Sequence, residues 1–532
     1  MISHLQSAVA QVLAIPNRLT DQVGMYRLVT LSLIAISVCS IIASATGFLA
    51  YTVTALMTSA LLAVVLAVGL NIACAKLWRV SANHESAVIT ALILHFMTIP
   101  YEGIVANWAL LSAVVLAVVS KYVIVYRRQH IVNAAALGAV LLVVGIGSYN
   151  LLTSSNYNTD IFQWWVANPV LFWPVLLLGI LIVSKIRRFA MVGSFVGVGL
   201  LVFLIEFVQF GLPVWDSTLV YFISFPTLFL ALFMLTEPFT MPPRTHHQVM
   251  YGGLVGALAS TTIFIPLFAM TPELALVLGN TFAYTFRIRR KLFLKLQSKR
   301  LLATDTWEFV FSKPADFRFE AGQYVEWMLP HEQVDSRGPR RYFTIASSPT
   351  ESVIRLALKV VPSEHITMRS STYKQALMRM DEGEEIIVSQ LAGDFILPKD
   401  TCNPLGFIAG GIGVTPFGSH LSWMQQSGQV YDTHLYYCCN TLGELAYLDE
   451  FTKLGDSMPI ITIPVIAKEE VQPPNEQGFV TIDMLARRTP DYKQRTWYIS
   501  GPPGMVNAYS KLLREAGVQS RQIKTDFFPG LA

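Results

Sequence analysis

Two patterns of apolar and polar residues divide the chain. From about residue 28 to residue 287 apolar residues run in long stretches, whereas beyond Lys299 short apolar stretches alternate with polar and turn residues. A helix needs roughly 17 to 25 apolar residues to cross a bilayer. The first pattern therefore predicts about ten spans, in residues 28–49, 51–74, 85–100, 104–126, 131–149, 168–184, 189–210, 217–236, 250–270 and 272–287.

The second pattern predicts two further domains. Short stretches in which apolar and polar residues alternate, as in residues 303–361, are typical of an antiparallel barrel. From Leu405 onward apolar strands alternate with helical segments, which is typical of a parallel sheet. We expect a polytopic α-helical membrane domain (1–291), a linker (292–298), an antiparallel β-barrel (299–400) and an α/β domain (401–532).

Basic residues mark alternate ends of the apolar stretches. Lys or Arg precedes the first stretch and follows the second, fourth, sixth, eighth and tenth, whereas the intervening loops lack both. Because Lys and Arg accumulate in cytoplasmic loops, this alternation predicts that both termini and the C-terminal half are cytoplasmic. We expect a multi-pass protein of the cell (inner) membrane, embedded in the lipid bilayer.

Composition agrees with this division and excludes several classes of protein. Hydrophobic residues make up 53% of the chain and charged residues 14%, against about 25% charged residues in soluble domains. A net charge of +4 is too small to indicate nucleic-acid binding. The five cysteines have neither zinc-site nor iron–sulfur spacing, so we expect no metal centre of that kind. Residues 1–27 are amphipathic, and no cleavable signal peptide is expected.

A sequence repeat links the third and eighth apolar stretches. Residues 96–100 read Phe-Met-Thr-Ile-Pro, and residues 233–238 read Phe-Met-Leu-Thr-Glu-Pro. Five spans separate the two copies, so one would end outside and the other inside, as in inverted-topology repeats. Short or Pro-interrupted spans at matching positions often mark a site near the middle of the membrane. The alternative is that Thr-x-Pro simply ends helices, because Pro cannot continue them.

Three motifs in the membrane half carry a family resemblance. They are Ser-Lys-Tyr (120–122) followed by His-Ile-Val-Asn-Ala-Ala-Ala (130–136), Phe-Met-Leu-Thr-Glu-Pro-Phe-Thr (233–240) and Tyr-Gly-Gly-Leu-Val-Gly (251–256). In this order they resemble the membrane flavoprotein subunits of the sodium-pumping NADH:quinone oxidoreductase (Na+-NQR) and of the Rnf complex. The resemblance implies an inverted-repeat bundle that carries flavin. Those relatives attach FMN to a Thr in Ser-Gly-Ala-Thr, but residues 153–160 lack that motif, so a non-covalent FMN, another cofactor or none remain open.

Several polar residues in the membrane half are candidate site residues. An ionisable group within a span, such as Glu206, is a functional candidate by default, although this Glu could also reach the outer interface. His95 and His130 could ligate haem or relay protons, or could simply be hydrogen-bonded in a helix. The candidates for a membrane site are Thr98, Lys121, His130, Asn133, Glu206, Thr236 and Glu237.

A glycine-rich turn in the C-terminal half predicts a dinucleotide site. Residues 405–409 form an apolar strand, residues 410–416 read Gly-Gly-Ile-Gly-Val-Thr-Pro, and a helix is predicted to follow. Glycines between a strand and a helix let the backbone approach a pyrophosphate, whose charge the helix N-terminus favours. The predicted binding residues are Gly410, Gly411, Gly413, Thr415 and Pro416.

Together with this turn, residues 299–532 resemble the ferredoxin–NADP reductase superfamily. Residues 341–344, Arg-Tyr-Phe-Thr, are similar to its FAD motif. The resemblance implies that Arg341 faces the FAD pyrophosphate, that Tyr342 stacks on the isoalloxazine, that Phe343 belongs to the same motif, and that Thr344 bonds near N5. The alternative is an ordinary surface strand.

Three further segments share this resemblance. Ser370, Ser371 and Thr372 resemble a second phosphate-binding turn, and the Ser-Gly-Pro of Ser500, Gly501 and Pro502 resembles a Cys-Gly-Pro loop near the nicotinamide. The segment Asp-Phe-Phe (526–528), which ends in Phe528, resembles the aromatic end that lies near the flavin in many members of the superfamily. The resemblance implies Tyr342, Thr344, Ser500 and Phe528 as catalytic residues. Residues 439–444 contain no Lys or Arg that could meet a 2′-phosphate, which favours NADH over NADPH.

The combined interpretation is a membrane flavoprotein oxidoreductase. It would move electrons from cytosolic NAD(P)H through FAD into a membrane-embedded flavin-type site, and then to a quinone, a flavin or an extracytoplasmic acceptor. One alternative is a haem-containing transmembrane ferric or oxygen reductase. Another is a transporter or channel that a reductase domain regulates. The sequence names neither the acceptor nor any partner protein.

Overall fold

The chain divides into two compact units in the computed structural model, Met1–Arg290 and Lys291–Ala532. The structure describes residues 23–80, 82–126, 129–155, 157–209, 211, 213–261, 264–265, 268–286, 291–332, 334–335, 338–360 and 371–527.

Helices form the described part of the N-terminal unit, with two short hairpins. The helices are α1 (Met25–Ala45), α2 (Val53–Leu77), α3 (His84–Met97), α4 (Trp108–Val123), α5 (Ala134–Thr153), α6 (Phe172–Ile186), α7 (Phe189–Gln209), α8 (Val214–Ile223), α9 (Thr227–Met234), α10 (Thr245–Ala259) and α11 (Pro272–Tyr284). The hairpins are β1–β2 (Val125–Tyr126 and Gln129–His130) and β3–β4 (Phe264–Ile265 and Phe268–Ala269).

The helices of this unit differ in whether they are long enough to cross a bilayer. Five helices are long and apolar enough to cross a membrane: α1, α2, α5, α7 and α6 with its preceding turn. Helices α8 and α9 pass the same test only as a pair bent by 52°. Helix α3 has 14 residues, about 21 Å at 1.5 Å per residue, which is shorter than the hydrocarbon core of about 30 Å. The expectation of ten spans therefore stays a prediction.

The order of elements in the first half of this unit recurs in the second. In each half a two-stranded hairpin separates the last two helices, α4 from α5 and α10 from α11. Helix α2 packs on α4, and α7 packs on α10. The first helices of the two halves, α1 and α6, contact each other, and so do the last, α5 and α11. This order is compatible with the sequence repeat, whose inverted orientation stays a prediction.

Glycines bring α7 and α10 together closely. A Cβ on Gly252 would collide with the carbonyl oxygen of Met191, and one on Gly256 would collide with that of Phe195. These two glycines come from the Tyr-Gly-Gly-Leu-Val-Gly motif, so part of that motif serves backbone packing, as small residues do between membrane helices.

The C-terminal unit begins with a six-stranded antiparallel sheet. Its order is β8-β7-β10-β5-β6-β9, and the Ala346 amide donates to the Arg355 carbonyl oxygen at 2.9 Å, which joins the end of β8 to β9. Residues 292–298, assigned to a linker from the sequence, form the first part of β5. The strands are β5 (Leu292–Ala303), β6 (Thr306–Ser312), β7 (Tyr324–Met328), β8 (Arg340–Thr344), β9 (Val353–Lys359) and β10 (Glu385–Ala392), with helix α12 (Thr372–Arg379) before β10.

A parallel sheet with helices completes this unit. The strands are β11 (Leu405–Gly410), β12 (Thr433–Cys439), β13 (Ile460–Ile466), β14 (Glu476–Gln477), β15 (Thr496–Gly501) and β16 (Ile523–Phe527), and the helices are α13 (Thr415–Ser427), α14 (Leu448–Gly455), α15 (Ile482–Arg488) and α16 (Pro503–Glu515). The sheet order is β14-β13-β12-β11-β15-β16. Strands β12 to β14 are therefore added on one side of β11, and β15 and β16 on its other side, so the strand order reverses between β11 and β15. In such sheets ligands bind at this switch point, beyond the carboxyl ends of the strands.

Candidate functional site

Tyr342 presents a flat aromatic surface on the edge strand β8. The residue is 45% exposed. The phenol donates to the Gln390 side-chain oxygen at 2.7 Å, and Tyr324 meets the ring edge-on with centroids 5.9 Å apart. These contacts orient an exposed aromatic ring, on which a planar group could stack.

Arg341 lies beside the N-terminal end of α12. Its guanidinium sits 5.3 Å from the ring centre of Tyr373 in the first turn of that helix, and its Nη2 pairs with Asp335 at 3.0 Å. The Thr372 hydroxyl accepts a hydrogen bond there from the Asp335 amide at 3.2 Å. Ser371 caps the helix through its side chain. A cation beside the N-terminal end of a helix suits a phosphate.

The hydroxyl of Thr344 is buried and makes no hydrogen bond to another described residue. The residue is 2% exposed, and its Oγ1 has no hydrogen-bond partner among the described residues. A buried polar group without a partner costs roughly 1–3 kcal/mol, so this hydroxyl has capacity for a hydrogen bond to a group beyond the described residues. Together with Tyr342 and Arg341, it gives the barrel a stacking face, an anion site and a polar atom, the set that FAD would require.

The glycine-rich turn meets the second predicted loop at the switch point of the parallel sheet. Gly410 ends β11, and Gly501 ends the neighbouring strand β15. A Cβ on Gly413 would lie 2.5 Å from the Ser500 carbonyl oxygen and 2.6 Å from the Gly501 Cα. Glycine is therefore required at position 413 for the two loops to touch. The turn leads directly into α13, with Thr415 and Pro416 as its first two residues.

Ser500 contributes a second buried hydroxyl without a partner. The residue is fully buried, and its Oγ has no hydrogen-bond partner within the described ranges. Its backbone pairs with Ala409 of β11 and Asp526 of β16, so it lies at the carboxyl edge of the sheet. Pro502 caps α16 there. These loops thus meet at the carboxyl edge of the parallel sheet, where dinucleotides bind in sheets of this kind.

The end of β12, where the adenosine ribose would lie in this type of sheet, carries negative charge. Glu444 accepts from the Asn440 amide at 3.2 Å and pairs with Lys359 at 3.1 Å. Burial raises the pKa of its carboxyl, but the hydrogen bonds from Asn440 and Lys359 outweigh burial and hold that pKa below its ordinary value. Glu469 accepts from the Leu442 amide at 2.8 Å. The two carboxylates outnumber the single Lys359 ammonium here, so the local charge disfavours an added phosphate.

Three of the candidates in the membrane unit line one cavity, and a fourth lies behind its lining. The cavity contains about 510 Å³ of empty space, including its open mouth, and its lining includes Asn133, Thr236 and Glu237. Lys121 does not line the cavity, but its ammonium donates to the hydroxyl of the lining residue Thr90 at 2.7 Å. It also interacts electrostatically with Glu237. The motifs around residues 121, 133 and 236 thus form one polar site.

The other membrane candidates lie elsewhere or outside the described part. The Thr98 hydroxyl donates to the Leu94 carbonyl oxygen, and its backbone bridges to Phe162. Glu206 accepts from the Thr261 hydroxyl at 2.7 Å. Neither residue lines the cavity. The side chain of His130, and Ser370 and Phe528 entirely, lie outside the described residues.

Two buried residues were missed by sequence reasoning. Glu273 is 3% exposed and accepts from the Trp164 indole at 2.7 Å; its position directly after Thr-Pro resembles a loop, which hid its burial. His420 on α13 is fully buried against the barrel. Its position on an apolar helix face was the available signal. Within the described ranges, no group of three or more His, Cys, Asp and Glu side chains is placed to hold a metal ion.

Comparison with known proteins adds to this geometry. Residues 407–511 match the family described as "Oxidoreductase NAD-binding domain". The reductase component of propane 2-monooxygenase from Rhodococcus jostii is 30% identical over 225 residues, which are 41% of this chain and 57% of that protein. The flavohemoprotein of Rhodopirellula baltica is 27% identical over 222 residues, 40% of this chain and 53% of that protein.

A solved structure also aligns with the chain. The FAD/NAD-binding domain of nitric oxide dioxygenase from Vibrio cholerae is 20% identical, with a TM-score of 0.40, over 44% of this chain and 98% of that domain. The match to each of the two sequence relatives above spans less than two thirds of that relative's length.

Proposed function

We propose that the C-terminal unit, an NAD(P)H-dependent oxidoreductase module that binds FAD, delivers its electrons to a second, flavin-type site in the membrane unit. The observation that carries this proposal is the cavity lined by Asn133, Thr236 and Glu237, with the Lys121 ammonium bonded to the lining residue Thr90. Two separate sequence motifs supply these four candidates, and helix packing alone does not require polar groups from both to meet.

The chemistry of the cavity suits a flavin ring. The empty space of about 510 Å³ includes solvent outside its mouth, so a bound ring would lie partly in that mouth. Its lining combines apolar side chains, among them Ile89, Ile93 and Phe233, with the polar Asn133 and Thr236. The Lys121 cation nearby favours a ligand that gains negative charge on reduction. A carboxylate at position 237 can exchange a proton with such a ligand.

The predicted sidedness of the cavity agrees with electron entry from the cytoplasm. Its lining includes Ser86 in the first turn of α3, Asn133 at the start of α5 and Glu237 after α9. All three follow or precede loops that contain Lys or Arg, which the positive-inside rule assigns to the cytoplasm. The reductase module is predicted on the same side, so electrons would reach this site without crossing the bilayer.

The residues of the reductase module have distinct tasks in this proposal. Arg341 and the N-terminal turn of α12 would hold the FAD pyrophosphate, Tyr342 would support the isoalloxazine, and the Thr344 hydroxyl would supply a hydrogen bond to that ring. The turn at Gly410–Gly413 holds the NAD(P)H pyrophosphate, and Ser500 orients the nicotinamide. The acidic end of β12 favours NADH over NADPH. Bound FAD supplies the change from hydride transfer to release of single electrons.

The recurring order of helices supports an inverted repeat around the cavity. Helix α3 and the bent pair α8–α9 hold corresponding places in the two halves, and both contribute cavity residues. Short or broken spans at matching positions are typical of sites at a repeat interface. The downstream acceptor in this proposal is a quinone, a flavin or an extracytoplasmic group.

A haem-bearing reductase is less well supported by the described residues. His95 is buried on α3, where its Nδ1 contacts the Ser59 hydroxyl at 3.1 Å and Trp165 packs on its ring. Haem ligation would require one ring nitrogen to face the iron, with a second axial ligand on the opposite side of the haem. His95 is instead enclosed by Phe96 and Trp165. A Soret band in the purified protein would reverse this preference.

A transporter or channel under reductase control is favoured by one observation, the 52° break between α8 and α9. Broken helices line substrate sites in many transporters. Solute flux through reconstituted vesicles that persists after Arg341→Gln and Tyr342→Ala substitution would support this alternative over electron transfer.

The proposed function is tested by replacing Lys121 with Met in the full chain. The matched control is Lys76→Met, which removes an exposed Lys at the end of α2 on the same predicted side. Both variants are reduced with NADH while flavin absorbance is followed. We expect FAD reduction at the normal rate in both, and loss or at least tenfold slowing of the second flavin's reduction only in Lys121→Met.

Two results would count against the proposal. One is a second flavin that is retained and reduced normally in Lys121→Met. The other is an unchanged electron flow to added quinone or flavin in that variant, because electrons would then leave FAD without using the cavity.

A further inference from the structure

His420 occupies the contact between the two halves of the C-terminal unit. It lies on α13, five residues after Thr415, and its side chain is fully buried. Phe395 stacks on its ring at 5.8 Å, and Tyr498 meets the ring edge-on at the same distance. The mechanism of hydride transfer assigns this residue no role, yet an ionisable ring is costly to bury.

The ring nitrogen Nε2 faces two backbone carbonyl oxygens. One belongs to Phe395 at 2.9 Å and the other to Ala321 at 3.2 Å. Carbonyl oxygens only accept hydrogen bonds, so Nε2 must carry the proton and share it between them. The opposite nitrogen Nδ1 is buried without a partner among the described residues. His420 therefore acts as a neutral donor of fixed tautomer.

Both acceptors belong to segments that shape the FAD side of the unit. Ala321 lies in the turn that precedes β7. In the same turn the Gln323 carbonyl oxygen accepts a hydrogen bond from the Ile345 amide at 3.0 Å. Ile345 directly follows the FAD motif. Phe395 follows the end of β10. Gly322 has φ +87°, and a Cβ there would collide with both the Phe395 oxygen and His420 Nε2. The lack of a side chain at position 322 thus leaves room in the barrel for the His420 ring.

The same helix holds the nucleotide loop at its other end. The phosphate-binding turn ends at Val414, and α13 begins at Thr415. At 1.5 Å per residue, His420 lies about 7.5 Å along a rigid helix from that beginning. A shift of α13 relative to Ala321 and Phe395 would therefore move the nucleotide relative to the flavin. A misplacement of about 1 Å can cost roughly a hundredfold in rate.

We propose that His420 is a positioning residue for hydride transfer: its single N–H, shared between the Ala321 and Phe395 carbonyls, sets the approach of the nicotinamide to the flavin. Neighbouring contacts hold the two halves together independently. Ser419 donates to the Ser347 carbonyl oxygen, and Tyr498 donates to that of Ile396, each at 2.7 Å. Loss of the His420 bond should therefore leave the unit folded but misaligned.

The test compares His420→Phe with His420→Gln in the full chain. Phe keeps a flat apolar ring without a donor, whereas the Gln amide can donate to the same carbonyls. Three quantities are measured under anaerobic conditions: FAD content, the dissociation constant for NADH, and the rate of flavin reduction at saturating NADH. The long-wavelength charge-transfer absorbance of the nicotinamide–flavin pair is recorded as a direct sign of stacking.

We expect His420→Phe to lower the saturating reduction rate by roughly ten- to a hundredfold. FAD content and NADH affinity should stay within about threefold of the unmodified protein, and the charge-transfer absorbance should weaken. His420→Gln should recover much of the rate and the absorbance.

Two results would overturn the proposal. Normal reduction and charge-transfer absorbance in His420→Phe would show that the bond does not set the approach. Loss of FAD that accounts for all lost activity, without recovery in His420→Gln, would show a purely structural role. A Ser419→Ala variant, which removes only a neighbouring contact, should retain the normal reduction rate.

Discussion

The guanidinium of Arg341 and the carboxylate of Asp335 form an ion pair of 3.0 Å beside the N-terminal end of α12. The carboxylate holds the guanidinium in the place where the FAD pyrophosphate is proposed to bind. Asp335 thus orients Arg341 and also competes with a phosphate for it.

Replacement of Arg341 by Gln should weaken FAD binding. Charged hydrogen bonds contribute about 1.5–3 kcal/mol, so the dissociation constant for FAD should rise roughly ten- to a hundredfold. FAD content after purification and titration of the apoprotein measure this. Arg318→Gln, which removes an exposed guanidinium, is the control and should retain FAD. Equal FAD affinity in the two variants would contradict the assignment of Arg341.

A methyl group at Gly413 should disrupt nucleotide binding while FAD remains bound. The added Cβ would meet the backbone at Ser500 and Gly501, which cannot move as a flexible side chain would. We expect the KM for NADH to rise at least tenfold in Gly413→Ala. Gly504→Ala is the matched control, because open space surrounds its Cβ position. Steady-state kinetics and FAD content distinguish the outcomes, and an unchanged KM in Gly413→Ala would refute this prediction.

The nucleotide preference should follow the charge at the end of β12. We expect kcat/KM to be at least tenfold higher for NADH than for NADPH, because a 2′-phosphate would lie near Glu444 and Glu469. Glu444→Gln removes one negative charge, while its amide oxygen can still accept a hydrogen bond from Asn440. This variant should have a lower ratio of kcat/KM for NADH to kcat/KM for NADPH. Equal use of both nucleotides by the unmodified protein would be incompatible with this view of the site.

Acid should destabilise the C-terminal unit through His420. Burial lowers the pKa of this ring to about 4 from an ordinary value of 6.5, and the nearby Lys524 lowers it further, although the bonds to Phe395 and Ala321 raise it. The folded state therefore favours the neutral ring. The neutral ring therefore contributes about 3 kcal/mol to the free energy of unfolding. This contribution is fully present above pH 6.5 and is lost as the pH falls towards 4.

Thermal unfolding followed by FAD fluorescence across this pH window measures the effect. His420→Phe has no titrating group there, so its unfolding temperature should decline less between pH 6.5 and 4 than that of the unmodified protein. Parallel declines in the two proteins would show that other groups cause the acid sensitivity.

Local motifs made part of the C-terminal site predictable from sequence. The glycine turn follows a strand and opens a helix, and those three features are contiguous in the chain. The structure confirms this order for Gly410–Gly413 and α13. The sequence could not show that Gly413 abuts Ser500, because that contact joins strands β11 and β15, which are distant in sequence and adjacent only through the sheet order.

Contacts between distant helices explain what sequence analysis missed in the membrane unit. Lys121 and Glu237 came from separate motifs, and only helix packing brings Lys121 close to the cavity that Glu237 lines. Glu206 drew attention as a charge within a span, yet it bonds to Thr261 away from the cavity. Glu273 lies at the predicted start of the tenth apolar stretch and was not a candidate, whereas the fold buries it against Trp164.

The central claim is that electrons pass from FAD to a second flavin in the membrane unit. The most direct measurement is the flavin content of the detergent-purified full chain, combined with rapid anaerobic reduction by NADH. The account predicts two flavins per chain, FAD reduced first and the second flavin reduced from it. A single FAD per chain, with no other chromophore that accepts electrons, would contradict it.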